Sequence, residues 1–310
     1  MQSQENWFVI VNPTAGSNRA GKRWNAISAQ LDAKSIKHDF AYTKRRRHAS
    51  VLARDAIRKG YRKIIAVGGD GTNNEVMNGI LFQKVVPSHE VTFAVIPQGT
   101  GNDWIRTHKI PRNANKAIEI IAEGRSTLQD IGLVTYDRNG SQGRRYFMNV
   151  AGMAYDAFVT RVSNVKRNYV SNKIFYLFLV LKCLWEYKLV PARLLFDGQE
   201  VIDEFYIITV GICIYNGGGM QFVPHAIPDD GLFALTYAGK LSKFEVIKNT
   251  PRFYDGSLAK HPRISTHQAK SIKVETSGDT PTLLEVDGEY LGVTPVEYTM
   301  LEKALRVVVP

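Results

Sequence analysis

The run Ile64-Ile65-Ala66-Val67 empties into Gly68-Gly69-Asp70-Gly71-Thr72, and Asn73-Asn74-Glu75-Val76 then opens an amphipathic stretch. An apolar strand, a turn almost free of side chains and a helix start are the elements this order predicts. Glycines let successive backbone N–H groups approach phosphate oxygens, and the helix N-terminus adds a favourable dipole. Asp70 is an odd choice for binding anions alone. A carboxylate there makes sense if it orients Mg²⁺ or an attacking hydroxyl beside a terminal phosphate. The plain alternative is an ordinary glycine-rich turn between strand and helix.

Two further polar turns favour the phosphate reading. Asn12-Pro13-Thr14-Ala15-Gly16-Ser17 follows the apolar run Trp7 to Val11, and Pro97-Gln98-Gly99-Thr100-Gly101-Asn102-Asp103 follows Val91 to Ile96. Between them, amphipathic stretches at Trp24 to Leu31, Val51 to Ile57 and Val76 to Leu81 alternate with short apolar runs such as Phe40 to Tyr42. This alternation predicts a layered α/β domain. Ligands of open parallel sheets gather at the carboxyl ends of strands, so the three turns are expected to line one crevice. Two look-alike motifs fail. Gly16 to Lys22 imitates a P-loop, but Arg23 replaces the hydroxyl residue that would hold Mg²⁺; Gly99-Thr100-Gly101 begins a dinucleotide fingerprint, but Trp104 stands in place of its last glycine.

From about Gln129 the pattern changes to apolar runs at Tyr146 to Val150, Leu194 to Phe196, Phe205 to Ile214, Phe233 to Tyr237, Ile272 to Glu275 and Leu283 to Val286. These predict a mainly antiparallel β domain. The segment Asn172 to Val190 interrupts it with an apolar stretch that Lys182 and Glu186 make too short to span a bilayer, and a buried or groove-lining helix is expected. Leu305 to Val309 is a strand candidate. At 310 residues the chain exceeds one ordinary core. The expected division is 1–128, with 298–310 returning to it, and 129–297.

Cys183 and Cys213 each sit in apolar runs with no CxxC spacing, and are expected to be reduced core residues. Met1 to Asn6 lacks the basic start and apolar stretch of a signal peptide, so a cytoplasmic location is expected. The formal charge of +11 concentrates at Lys44-Arg45-Arg46-Arg47, Arg58-Lys59, Arg62-Lys63, Arg144-Arg145 and Lys166-Arg167. That balance suits a polyanion, with a solvated basic face as the plain reading of any one cluster. Nucleic acid is disfavoured, because no aromatic RNA motif or helix-turn-helix occurs and Asp70, Asp103, Asp287 and Glu289 would be unwelcome beside it.

Taken together, the segments at 12–17, 68–76 and 97–103 resemble the catalytic region shared by diacylglycerol kinases, sphingosine kinases and bacterial lipid kinases. Asn216-Gly217-Gly218-Gly219-Met220, then Pro224, Ala226, Asp229-Asp230-Gly231-Leu232 and Val286-Asp287-Gly288-Glu289 are similar to the bacterial soluble branch. The resemblance implies an N-terminal Rossmann-like α/β domain of the NAD kinase and phosphofructokinase type and a C-terminal antiparallel β-sandwich, with the nucleotide in a cleft. It carries ATP contacts onto Asn12, Pro13, Thr14, Ala15, Gly16, Thr43, Gly68, Gly69, Asp70, Gly71, Thr72, Asn73, Asn74 and Thr100. It also implies a structural Mg²⁺ on Asp230 with the backbone oxygens of Ile227 and Leu232, a donor set that suits a hard cation. The catalytic base falls on Glu289 by analogy with the bacterial branch and on Asp70 by analogy with sphingosine kinases. Both alternatives stand at this point. The plain readings are a hairpin turn at Asp287-Gly288 and a solvent turn at Asp229-Asp230-Gly231. Two positions depart from the family: Asn73 stands where many relatives are apolar, and Gln98 replaces a commoner Leu.

The activity so implied is transfer of the γ-phosphoryl group of ATP to a lipid hydroxyl, with diacylglycerol or a related alcohol as acceptor. The enzyme would work peripherally at an anionic membrane surface, and a homodimer is left open. A NAD kinase shares the GGDGT turn but is not expected to carry Pro-x-Gly-Thr-x-Asn-Asp. A nonenzymatic basic lipid-binding protein is the rival from another class.

Overall fold

The computed structural model describes residues 4–165 and 173–310. The basic pair Lys166-Arg167, Asn172 and the side chains from Lys173 to Leu177 lie outside the described residues. Two compact units divide the chain, Met1–Ile131 with Leu301–Pro310, and Gly132–Met300. The boundaries fall a little beyond the expected 128/129 and 297/298 because one strand, Ser126–Arg138, runs without a break through the first of them.

In the first unit β1 (Gln4–Val11), α1 (Ala15–Ala33), β2 (His38–Tyr42), α2 (His48–Arg58), β3 (Tyr61–Gly68), α3 (Asp70–Phe82) and β4 (Thr92–Pro97) alternate, followed by α4 (Trp104–Thr107) and α5 (Ala114–Glu123). All the pairings β2–β1, β1–β3 and β3–β4 are parallel, and Arg306 and Val307 of the chain's last strand add a further parallel partner beside β4. The order β2-β1-β3-β4 reverses direction between β1 and β3, and an open parallel sheet has its crevice beyond the carboxyl ends at such a point. Ile64, Ile65, Ala66 and Val67 are wholly buried, as a central strand covered on both faces requires. Each of the larger ones contributes roughly 1.5–3 kcal/mol by leaving water. One face of the sheet packs Val9, Val11, Ile65 and Val67 against Trp24, Ile27 and Leu31 of α1 and Ile118 and Ile121 of α5. Ile10, Ile64 and Ala66 alternate to the other face, where α2 and α3 lie. Those two helices meet closely enough that a methyl at Gly79 would fall 2.6 Å from the Ser50 carbonyl oxygen. Glu75 of α3 accepts from the backbone N–H groups of Arg47 (2.8 Å) and Ala49 (3.2 Å), capping the start of α2.

The second unit contains β5 (Ser126–Arg138), β6 (Ser141–Phe147), β7 (Val150–Ala154), α6 (Tyr155–Val165), α7 (Lys173–Glu186), β8 (Val190–Phe196), β9 (Gln199–Phe205), β10 (Ile207–Gly211), β11 (Phe233–Ala238), α8 (Lys243–Asn249), α9 (Arg252–Asp255), β12 (Ile264–Ala269), β13 (Ile272–Thr276), β14 (Leu283–Val286) and β15 (Glu289–Val308). β5 begins and β15 ends in the first unit. Antiparallel pairing runs β12-β11-β10-β7-β14-β15, while β13 joins β15 to the β8–β9 hairpin. Phe147, Phe233 and Tyr298 meet in the core, with ring centroids 6.0–6.1 Å apart. This is the β-rich half that the alternation predicts.

Two expected strands are each split by a change of partner. Tyr146 to Val150 breaks at Met148-Asn149, since β6 pairs with β5 whereas β7 pairs with β10 and β14. Phe205 to Ile214 breaks at Tyr206, since β9 follows β8 whereas β10 lies between β7 and β11. Cys183 and Cys213 are buried thiols that form no disulfide with each other, as expected.

Candidate functional site

The three polar turns of the first unit meet. Asn12 donates from Nδ2 to Thr72 Oγ1 at 2.9 Å, tying the turn after β1 to the first turn of α3. Its Oδ1 accepts from the Thr14 backbone N–H (3.2 Å) and hydroxyl (2.9 Å), which folds Pro13 and Thr14 over the strand end. Thr43, just past β2, donates its N–H to the Val11 carbonyl at 2.9 Å and so joins the same edge. From the turn after β4, Gln98 and Gly99 donate to the Gly68 carbonyl at 2.7 and 3.1 Å.

Glycine is required at these crossings. Gly16 adopts φ +60°, and a Cβ on it would stand 2.1 Å from the Gln98 carbonyl oxygen. A Cβ on Gly99 would stand 2.4 Å from the Gly69 Cα, so those two backbones touch directly. Ser17 and Asn18 share the left-handed conformation, which delays the regular part of α1 until after Asn18.

Asp70 opens α3, where the first backbone N–H groups lack intrahelical acceptors. Its Oδ1 accepts from the Asp103 N–H at 3.1 Å. A methyl at Gly101 would lie 3.0 Å from Asp70 Oδ2 and 3.8 Å from Asp103 Oδ2, so the two carboxylates converge on one small volume. Burial and then the charge of Asp103 raise the Asp70 carboxyl above its ordinary range, against the lowering effect of backbone N–H donors. Arg106 balances Asp103 at 3.3 Å. Thr100 is exposed on the same turn, and Asn102 donates to the Gly99 carbonyl at 2.9 Å. Asn73 and Asn74 face inward, at 0% and 2% exposure, with Asn74 accepting from Asn78.

The second unit has its own acidic cluster. Asp287 and Gly288, at φ +48° and +79°, form the two-residue turn that pairs Val286 with Glu289. The Asp287 carboxylate accepts from the backbone N–H groups of Val150 (3.1 Å) and Met148 (3.4 Å), pinning the turn to the start of β7. Glu285 takes the Gly288 N–H at 2.9 Å. Glu289 then faces Arg145 at 3.1 Å, so Arg145 is an ion-pair partner here and not part of a loose basic face.

Beneath the turn, Glu285 and Asp156 are brought together over Gly152, where a Cβ would meet Asp156 Oδ2 at 2.3 Å and Glu285 Oε1 at 2.8 Å. Burial lifts Asp156 to about 6. Burial and then the neighbouring Asp156 lift Glu285 well above the carboxylate range. Two buried carboxyls this close favour holding a proton. Asn216, at the head of the Gly217-Gly218-Gly219 loop, reaches Asp156 Oδ2 at 3.5 Å.

Sequence reasoning therefore assembled the turns but did not single out Asp103, Arg145, Asp156 or Glu285 as site residues. Asp103 closes the turn after β4, and Arg145 shows only as half of the basic pair Arg144-Arg145; Asp156 and Glu285 carry no local signal. Asp230 stands in an exposed turn, its carboxylate accepting from the Leu232 N–H (3.0 Å) and Gln268 Nε2 (3.1 Å), with Ile227 exposed nearby in sequence. Among the described residues no group of three or more His, Cys, Asp or Glu side chains is placed to hold a metal.

Residues 6–134 match the family described as diacylglycerol kinase catalytic domain, and residues 149–309 match the YegS C-terminal NAD kinase beta sandwich-like domain. The chain is 30% identical over 302 residues to a diacylglycerol kinase of Staphylococcus aureus (strain MRSA252), covering 97% of this chain and 91% of that one. A Staphylococcus carnosus (strain TM300) diacylglycerol kinase is 28% identical, covering 97% and 94%. Among solved structures, a diacylglycerol kinase from Bacillus anthracis str. Sterne has the same fold, with TM-score 0.75 at 24% identity over 99% of this chain and 97% of that one. Another structure from that strain reaches TM-score 0.76 at 26% identity with the same coverage.

Proposed function

Because this chain belongs to the diacylglycerol kinase family and is a lipid kinase, we propose that it transfers the γ-phosphoryl group of ATP to the hydroxyl of diacylglycerol or a related lipid alcohol, giving a phosphatidate-type product. The observation that carries this reading is the convergence of three glycine-bearing turns, after β1, β3 and β4, around Asp70 at the N-terminus of α3. Backbone N–H groups exposed by these turns cradle the phosphates, and Asn12, Thr43, Thr72 and Thr100 supply polar edges around them. Such a site works mainly by positioning and by neutralising charge.

Mg²⁺, bound with the nucleotide, supplies charge neutralisation at the phosphates. Asp70 and Asp103 fit that ion, as paired carboxylates that repel each other in a partly buried site and offer only oxygen donors. Asp230, with the backbone oxygens of Ile227 and Leu232, is the same type of donor set for a structural ion. Glu289 accepts the hydroxyl proton late in transfer, and Arg145 orients it. Asp287 fixes the turn that presents it.

The enzyme meets its acceptor peripherally, at an anionic membrane surface. No helix among the described residues is long and apolar enough to cross a membrane. Incubating the purified protein with γ-labelled ATP and a panel of diacylglycerol, sphingoid base, glycerophospholipid and NAD tests the reading. Label in a phosphatidate-type product is expected; label in NAD alone, or in no acceptor, would overturn it.

A further inference from the structure

The second unit carries apolar surface that its own core does not use. On α7, Leu179 and Cys183 pack against Val159 of α6, and Leu184 joins the core beneath α8. The opposite stripe at i, i+3 and i+7 is also apolar: Phe178, Leu181 and Trp185 are 63%, 41% and 63% exposed. α8 repeats the arrangement. Val246 faces the core, while Phe244 and Ile247 stand out at 74% and 40% exposure. Lys243 joins the two stripes, donating to the Trp185 carbonyl at 2.7 Å with its ammonium 5.2 Å from the indole centroid. A helix apolar on both faces is one whose second face has an occupant.

Charge and composition identify that occupant. Residues 240–263 carry Lys240, Lys243, Lys248, Arg252, Lys260 and Arg263 against Glu245 and Asp255. Glu245 is already engaged in capping α8 and pairing with Arg263 at 3.4 Å. Lys182, paired with Glu186 at 3.5 Å, and Lys188 flank Trp185. Protein interfaces are depleted in lysine, most of all at their cores. A bilayer interface instead favours protruding aromatic tips interleaved with lysines that reach the headgroups. We propose that the exposed stripes of α7 and α8 are a membrane-docking surface, with Trp185 and Phe244 inserted among acyl chains and Lys243, Lys248 and Arg252 on anionic lipid phosphates. The proposal rests on the lipid-kinase reading only for the expectation that a membrane is the natural surface.

The sequence supplies its own probe. Of the four tryptophans, Trp7, Trp24 and Trp104 are 9%, 1% and 0% exposed, so Trp185 is the one able to sense added lipid directly. Vesicles of phosphatidylglycerol should shift the emission of the wild-type protein to the blue, and bromine-labelled acyl chains should quench it. Trp185→Phe should abolish both changes. Phe244→Glu with Ile247→Glu should weaken vesicle binding tenfold or more, while phosphorylation of a short-chain acceptor below its micellar concentration stays within about twofold of wild type. Phosphatidylcholine vesicles should bind far more weakly.

The proposal is overturned if wild-type protein fails to bind the anionic vesicles, or binds them with Trp185 unquenched. It is also overturned if the double variant binds equally well, or if that variant instead abolishes self-association, which would make the face an interface between copies. The wild-type quenching result needs no variant to fold. Insertion of Trp185 without phosphorylation of any lipid would leave the docking surface standing and remove the acceptor assignment alone.

Discussion

The glycine turns of the first unit and the acidic cluster of the second use Asp and Glu side chains in opposite ways. Around Asp70 the protein removes side chains, at Gly16, Gly69, Gly99 and Gly101, so that backbone and carboxylate share space a ligand can enter. Around Glu285 it packs carboxyls under a hairpin turn and sets Glu289, at 22% side-chain exposure, beside Arg145. The first cluster is arranged for contact; the second raises the pKa of both its packed acids and steadies one partly exposed acid. Burial raises Asp70 as well, but Gly101 leaves the volume between Asp70 and Asp103 free of a side chain, whereas Asp156 and Glu285 close over Gly152.

The strongest way to break this comparison is at the two carboxylates proposed to face the reaction. Asp70→Asn and Glu289→Gln should each lower kcat by about 10²–10⁴-fold in a labelled-ATP assay, with thermal melting unchanged. If Asp70 serves the phosphate side and Glu289 the proton, only Asp70→Asn should also alter the Mg²⁺ concentration needed for half-maximal rate. Near-normal turnover in both variants would remove both assignments. A Mg²⁺ shift in Glu289→Gln instead would exchange the roles.

Why one cluster could be read from the sequence and the other could not follows from how each is built. The Gly68 to Thr72 turn is contiguous, and its partners at Asn12 and Gln98 each end an adjacent strand, so the alternation of strands and helices already implied their meeting. The Asp287-Gly288 pair announced its hairpin for the same local reason. Asp156 and Glu285 meet because β14 pairs with β7 in the register that sets Glu285 opposite Gly152, and no local pattern encodes that register. The pinning of Asp287 to Met148 and Val150 depends on the same pairing, as does the break in the run Tyr146 to Val150. Long-range antiparallel register is what a single sequence leaves unspecified here.

A smaller effect tests the buried pair. Asp156 has its pKa raised to about 6 in the folded protein, so between the ordinary carboxylate value near 4 and that pH the folded chain binds more protons than the unfolded one. Stability from this group is therefore fully present below that window and falls as pH rises through it. Asp156→Asn removes the fall. Relative to the parent it should gain about 1–3 kcal/mol at pH 8 and little at pH 4, measured by urea unfolding at both pH values. A parent whose stability is level across the window would show that the pair is solvated, and the contrast between closed and open clusters would fail.

The smallest effect lies at Asn73, where the two ways of using polar groups meet in one residue. Its Oδ1 and Nδ2 are both buried without a hydrogen-bond partner, one residue after Thr72 in the glycine turn. An unpaired buried amide costs about 1–3 kcal/mol. If the amide serves only as filling, Asn73→Leu should raise the melting temperature by about 2–4 °C per kcal/mol recovered and leave the KM for ATP within twofold. If the turn keeps the amide for a bound nucleotide, the same variant should raise that KM several-fold while still melting higher. Reading both numbers on one variant separates a misplaced polar group from a working one, and a lower melting temperature would show that the space around Asn73 has no room for a leucine.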